Sequence, residues 1–300
     1  CALNCLYCGI RRDNDAVARY TLSLEDIRHG ARRVAERGWG SLVLQSGENA
    51  SAANVDFICN AVRCIKEDTR SSRLPSGLGI TLSAGVYSID VYRQFFAAGA
   101  HRYLLRVETT DADLFARIHP ADQTLAERVQ ALEDLRAAGF QVGTGVMIGL
   151  PGQTCRMLAR DVLFFKEMDV DMVGMGPYQP HRDTPMAGLP IISAEERLAL
   201  ALRMIAVTRL VLKNVNIAST TALEALSPSG RELGISFGAN VAMPNVTPGS
   251  ERRKYQLYDG KPCLDEAADE SGIALRQKIE SLGRIVGIDE WGDSRRFCDR

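Results

Sequence analysis

The sequence predicts an α/β chain folded as a (β/α)8 barrel of TIM type with one strand unaccounted for. Three observations carry that expectation. Helix and strand signals alternate along the whole length, as parallel strands joined by outer helices require. About seven strands are countable, near residues 42, 80, 103, 143, 172, 215 and 240. The 300 residues suffice for one barrel around one core. The chain opens on Cys1 without an initiator methionine, so the sequence is read as a fragment whose first strand lies upstream. An open edge there would be unfavourable, and the full-length protein is expected to cover it.

Taken in order, the elements justify themselves locally. Ser23-Leu-Glu-Asp26 has capping-box form, and Ile27, Ala31, Val34 and Ala35 follow at helical spacing until Gly38. Strand Leu42-Val-Leu-Gln45 comes next. In His101 to Glu108 a period of two sets Arg102, Leu104, Arg106 and Glu108 on one face and Tyr103, Leu105 and Val107 on the other. A second capping box, Thr124 to Glu127, opens a stripe of Leu125, Val129, Leu132 and Leu135 that stops at Gly139. Strand Gln141 to Ile148 succeeds it. With Gly149 it places Gly143, Gly145 and Gly149 on one face, either leaving room for something other than protein or packing against a helix. A third box, Ser193 to Glu196, starts a helix reaching about Leu212, and strand Val215-Asn-Ile-Ala218 follows. Residues 1–247 are expected to form the barrel. Residues 248–300 are expected to form a segment closing or packing on it, with a helix over roughly Ser271 to Leu282.

Charge and composition narrow the function. Lys and Arg number 36 against 37 Asp and Glu, for a net charge of -1, so no bulk field recruits nucleic acid or an anionic membrane. The clusters Arg32-Arg33 and Arg252-Arg253-Lys254 read as solvated surface. No apolar run is long enough to span a bilayer and no signal peptide is visible, so a cytoplasmic protein is expected. Eight cysteines in so large a chain are not a disulfide framework, and three of them fall within the first eight residues.

Cys1-x3-Cys5-x2-Cys8 gathers three soft thiolate donors in a short loop, which points to a compact metal site. Zinc would want a fourth ligand, and the nearest histidine, His29, sits inside a predicted helix. Reactive redox thiols are a second reading. A four-iron cubane held by three cysteines keeps one iron without a protein ligand, and that position can bind a cosubstrate. Barrel enzymes place chemistry at the C-terminal ends of strands, where Gln45, Ser83, Glu108 and Thr220 fall.

Cys-Ala-Leu-Asn-Cys-Leu-Tyr-Cys resembles the radical S-adenosylmethionine signature, including Tyr7 before the last cysteine. The blocks Gly9 to Asn14, Leu44 to Glu48, Leu104 to Thr109, Gly149 to Thr154, Gly176 to His181 and Ala239 to Asn245 resemble the HydE maturases of [FeFe]-hydrogenase, in the branch of biotin synthase and methylornithine synthase. The resemblance implies a complete radical SAM barrel whose first strand precedes Cys1. It also implies an oxygen-sensitive [4Fe-4S] cluster on Cys1, Cys5 and Cys8, and reductive cleavage of S-adenosylmethionine to methionine and a 5'-deoxyadenosyl radical. Tyr7, Gln45, Arg106, Glu108 and Arg128 are implied for the S-adenosylmethionine pocket. Ser46, Thr81, Ser83, Thr220, Thr221, Tyr255 and Tyr258 are implied for the substrate cavity. A guanidinium suits the methionine carboxylate, and a carboxylate offsets the ammonium or sulfonium charge. The competing reading is that Arg106 and Glu108 pair only with each other. Some HydE proteins carry an accessory cluster on three C-terminal cysteines. Here Cys263 remains while Ser271 and Ala274 take the other two places, so no second cluster is expected.

The implied substrate is a small organometallic iron species bearing cysteine, carbon monoxide and cyanide. A ferredoxin or flavodoxin would be the electron donor, and other hydrogenase maturation proteins the partners, with no nucleic acid and no membrane. Two alternatives stay open. One is a methylornithine-synthase-like or biotin-synthase-like enzyme on a small organic molecule, although Cys155 falls in a predicted helix and supplies no obvious auxiliary cluster. The other is a non-catalytic iron-sulfur scaffold.

Overall fold

The alternation resolves into one parallel sheet with helices returning outside it. A computed structural model describes residues 1–262 and 268–300. The strands are β1 (Ser41–Gln45), β2 (Gly79–Ser83), β3 (Arg102–Leu104), β4 (Gln141–Thr144), β5 (Met147–Ile148), β6 (Met172–Val173), β7 (Gly176–Pro177), β8 (Asn216–Ser219) and β9 (Val241–Ala242). Seven of them pair in the order β1-β2-β3-β4-β6-β8-β9, every pair parallel, with β1 and β9 as the edges. β5 and β7 form a short parallel extension beyond β4 and β6.

Register sorts the side chains. Leu42, Ile80, Leu82, Tyr103, Val142, Val173 and Ile217 join the main core beneath the helices. Their neighbours Val43, Thr81, Arg102, Gln141, Met172 and Asn216 therefore face the inside of the sheet, the first three and the next pairs lying in adjacent register. The three capping boxes form as the local sequence dictates, with Ser23, Thr124 and Ser193 each accepting from the backbone three residues on.

Two strands are shorter than their apolar patterns suggest. β3 stops at Leu104. The expected strand from Gln141 is split into β4 and β5 around Gly145, where the backbone comes so near the Gly174 carbonyl oxygen that a Cβ would lie 2.0 Å from it. The space beside the glycines is also taken up by protein: a Cβ at Gly143 would meet Met172 and Leu104, and one at Gly149 would meet Arg197. Close packing, rather than room for a ligand, accounts for them.

The segment after 248 serves both ends of the sheet. Leu257 reaches the loop at Gly9, on the side of the strands' C-terminal ends. Residues 289–300 cross the N-terminal ends, where Asp289 N–H donates to Gly38 (2.7 Å), Trp291 Nε1 to Gly77 (2.8 Å) and Asn216 Nδ2 to Gly292 (2.9 Å). Arg102 donates to the Trp291 carbonyl (2.7 Å) and to Asp293 (3.3 Å), and Ser294 N–H to Gln141 (3.3 Å). Arg296 and Arg300 close the strap on Asp169, and Arg300 also pairs with buried Asp171.

Candidate active site

The cysteine loop has no regular structure, so its shape rests on backbone contacts to other elements. Ala2 N–H donates to Glu48 (2.7 Å), Leu6 N–H to Ile118 (2.9 Å), Gly9 N–H to Leu257 (2.9 Å) and Arg12 N–H to Leu3 (2.7 Å). Glycine is needed at two of these approaches. A Cβ at Gly47 would lie 2.7 Å from that of Cys1, and one at Gly9 would lie 2.4 Å from both the Gln256 oxygen and His181. The Arg19 guanidinium then gathers the carbonyls of Ile10, Arg11, Arg12 and Asn14 at 2.6 to 3.2 Å.

Cys5 is buried, Cys8 half-buried and Cys1 exposed. Burial pushes the Cys5 thiol up, and pushes that of Cys8 up to about 12. Alone, these groups stay protonated thiols; a metal that displaces the protons supplies the missing countercharge. Among the described residues no three His, Cys, Asp or Glu side chains converge as one ion would require. A cubane takes each thiolate on a different iron, so the triad fits a cluster without such convergence.

Beside the loop, the chain leaving β3 carries Arg106 and Glu108. Glu108 is buried at φ 64, a left-handed conformation that a non-glycine residue keeps only under constraint. The constraint is a bridge to Val146, with Glu108 N–H donating to Gly145 and its carbonyl accepting from Met147, both at 3.0 Å. An Arg106 Nη donates to the Glu108 carboxylate (2.8 Å) and to the Val146 carbonyl (3.0 Å). Its Nε is buried with no partner. The pair exists as the competing reading held, and it still leaves a donor unspent. Arg128, from the helix Leu125–Ala137, donates to the Arg106 carbonyl at 3.1 Å. Its charge is felt by Cys5, Tyr7, Glu48 and His119, which places it among the candidate groups.

Two neighbours were not singled out from the sequence. His119 Nε2 lies 3.3 Å from the Tyr7 hydroxyl, and burial, then Arg128, holds this imidazole down to about 3, hence neutral. Glu48, whose carboxyl is pushed up by burial, accepts from Val86 N–H at 2.9 Å. Gly85, at φ 104, leaves room for it, since a Cβ there would lie 2.3 Å from the Glu48 side chain. A polar residue just after β1 was the available signal for Glu48; nothing local marked His119.

The remaining candidates separate. Gln45 and Ser46 are exposed at the end of β1, and Ser46 N–H donates to Ser83 (3.1 Å) at the end of β2. Thr220 donates to Met175 (3.4 Å), and the Thr221 hydroxyl meets that of Tyr258 at 3.0 Å. The Tyr255 phenol is pushed up by burial and next by Cys8; that of Tyr258 is pushed up by burial and senses Arg106. Both tyrosines thus come to the cysteine end. Thr81 does not join them: it accepts from Arg102 Nε (3.1 Å) in the floor that the C-terminal strap covers, because its register neighbour is Arg102. Cys263 lies outside the described residues, Ala274 is exposed, and Cys155 is exposed in the first turn of the helix Cys155–Glu167. Two open depressions of about 370 and 330 Å³ lie around Trp291, at the end away from the cysteines, and have no part in this site.

Comparison with known proteins agrees with this geometry. The model of the Radical SAM superfamily matches residues 1–165. Over 299 residues the chain is 42% identical to the [FeFe] hydrogenase maturase subunit HydE of Thermotoga maritima, covering 100% of this chain and 82% of that protein. It is 28% identical over 247 residues to the biotin synthase of Pelotomaculum thermopropionicum, covering 81% of this chain and 72% of the synthase. The crystal structure of the methylornithine synthase PylB superposes with a TM-score of 0.78 at 22% identity, covering 96% of this chain and 80% of that one; at that identity the likeness speaks for the fold.

Proposed function

The chain belongs to the HydE family of the radical SAM superfamily, and from that premise we propose that it reductively cleaves S-adenosylmethionine during assembly of the [FeFe]-hydrogenase active site. One observation carries the reading: the three cysteines, Tyr7, Arg128 and the Arg106–Glu108 pair meet at one end of the barrel, with a buried guanidinium nitrogen left unpartnered.

Cys1, Cys5 and Cys8 would hold the cluster, each as a thiolate. When bound, the cluster supplies one electron that splits S-adenosylmethionine into methionine and a 5'-deoxyadenosyl radical. The chain's own residues bind and orient. Arg106 offers its unspent Nε–H to the methionine carboxylate as a single charge-assisted bond, an Nη already donating to Glu108 and Val146. Glu108, already ionically paired, offsets the ammonium or sulfonium charge. Tyr255 and Tyr258 shield this end from water, which protects a radical and strengthens the charged contacts. Thr220, Thr221, Gln45, Ser46 and Ser83 line the approach for a small organometallic iron species. The chain lacks two of three accessory cysteine positions, which supports a single cluster. We place the enzyme in the cytoplasm, with a ferredoxin or flavodoxin as donor and other maturation proteins as partners. Among the described residues no helix is long and apolar enough to cross a membrane.

The test is anaerobic reconstitution with iron and sulfide, then reduction with S-adenosylmethionine. About four irons per chain and 5'-deoxyadenosine in the wild type, with none from Cys5→Ala, is the expected result. About eight irons would contradict the single cluster, and no product from a reducible cluster would favour a scaffold.

A further inference from the structure

We propose that Asp161, on the helix Cys155–Glu167 and remote from the cysteines in sequence, is the positioning residue that ties the S-adenosylmethionine pocket to the cysteine loop. The inference rests on the functional reading above and names a residue that the reading does not use.

Asp161 is fully buried. One of its oxygens, Oδ1, accepts both from Thr110 N–H (2.8 Å) and from the Thr110 hydroxyl (2.6 Å), while Oδ2 has no partner. A carboxylate in the interior without a cation is costly, and burial pushes this one up to about 6. Such a group is retained where a particular backbone shape depends on it.

Thr110 is where two functional segments join. On one side lies Glu108 in its left-handed conformation, held from below by the bridge to Val146. The bridge fixes the peptide before Thr109 and Asp161 the one after it, by accepting from Thr110 N–H, so that these two anchors follow directly on Glu108. On the other side, Asp111 accepts from Leu114 N–H and caps the helix Ala112–Ile118. The end of that helix accepts Leu6 N–H through the Ile118 carbonyl (2.9 Å), and His119 follows it to meet Tyr7. A single buried acceptor thus sets the origin of the pocket carboxylate and of the backstop to the residues between Cys5 and Cys8.

What the geometry uses is an acceptor oxygen, not a charge. Asp161→Asn keeps that oxygen and Asp161→Ala removes it. The measurement is equilibrium binding of S-adenosylmethionine to the reconstituted, unreduced protein, beside its KM and kcat and the iron content. Asp161→Ala is expected to weaken binding and raise KM about tenfold, through loss of the acceptor for both Thr110 hydrogen bonds, with iron still near four per chain. Asp161→Asn is expected to restore binding to within about twofold. Wild-type binding in Asp161→Ala, or equal damage in both variants, overturns the proposal. If Asp161→Ala does not fold, Thr110→Val decides: weakening of about threefold supports it and wild-type affinity overturns it. Wild-type protein that binds no S-adenosylmethionine overturns the functional reading and this inference with it. Wild-type binding with unaffected variants overturns this inference alone.

Discussion

Arg102 and Arg106 stand four positions apart on the segment whose pleat faces the inside of the sheet, and they meet opposite fates. Arg102, at the N-terminal end, is 3% exposed and spends its guanidinium on Thr81, the Trp291 carbonyl and Asp293. Arg106, at the C-terminal end, holds Glu108 and one carbonyl and keeps a buried Nε unpartnered. Arg102 is tied to the strap by its contacts with Trp291 and Asp293, whereas Arg106 keeps a buried donor unanswered beside a carboxylate held in a left-handed conformation, the arrangement on which the proposed pocket rests. The two ends also differ in what reaches them: the strap 289–300 supplies partners to the floor, and the stretch near 257 brings Leu257 to Gly9 and Tyr258 to Thr221 at the other end.

The contrast breaks if the two arginines respond alike. Arg106→Ala is expected to lower kcat/KM for S-adenosylmethionine cleavage roughly 30- to 100-fold while lowering the stability of the apoprotein less than Arg102→Ala does, since Arg106 is the more exposed of the two. Arg102→Ala should do the reverse. Removing a buried, paired charge costs on the order of 3 kcal/mol, read as a lower urea midpoint, with binding per folded molecule preserved.

A second pair sharpens it through glycines. Gly47→Ala sets a Cβ against Cys1, and Gly40→Ala sets one 1.8 Å from the Glu290 carbonyl oxygen. Overpacking of this kind costs roughly 1 to 3 kcal/mol. At Gly47 it should appear as iron content well below that of the wild type, and at Gly40 as a reduced melting temperature in a protein that still loads its cluster.

The smallest expected effect concerns two histidines, half-buried His101 and buried His119. Burial lowers His101, which has Asp293 at 3.1 Å to answer a proton, whereas burial and then Arg128 hold His119 down to about 3. A histidine depressed on folding binds fewer protons than in the unfolded chain, so its stabilisation is full above the unfolded value near 6.5 and is lost as pH falls toward 3. Between pH 6.5 and 5 the loss is on the order of 1 to 2 kcal/mol. His119→Gln in the apoprotein should flatten that stretch of the stability curve, and His101→Gln should flatten it less.

What was legible from residues alone follows short-range rules. The cysteine triad is a spacing, the three capping boxes are four-residue patterns, and the seven strands are apolar runs between turn residues. Arg106, Glu108 and Arg128, implied for one pocket by the family resemblance, lie beside one another, while Thr81, implied for the cavity by the same resemblance, sits in the floor beside Arg102. The expected uninterrupted strand from Gln141 is split around Gly145, where the chain packs closely on Gly174, a distant contact that local periodicity does not report.

The sequence by itself therefore determined the parallel α/β architecture, the cysteine loop and the family, since each is written in residues close together along the chain. Only the tertiary structure decided which inward polar residues are used up and which are left to act. Glu48, His119 and Asp161 acquire their surroundings from Val86, Tyr7 and Thr110, and Arg102 is answered by Asp293, 191 positions away. A side chain's chemistry depends on burial and on the partners that satisfy it, and both are properties of contacts made only when distant segments fold together.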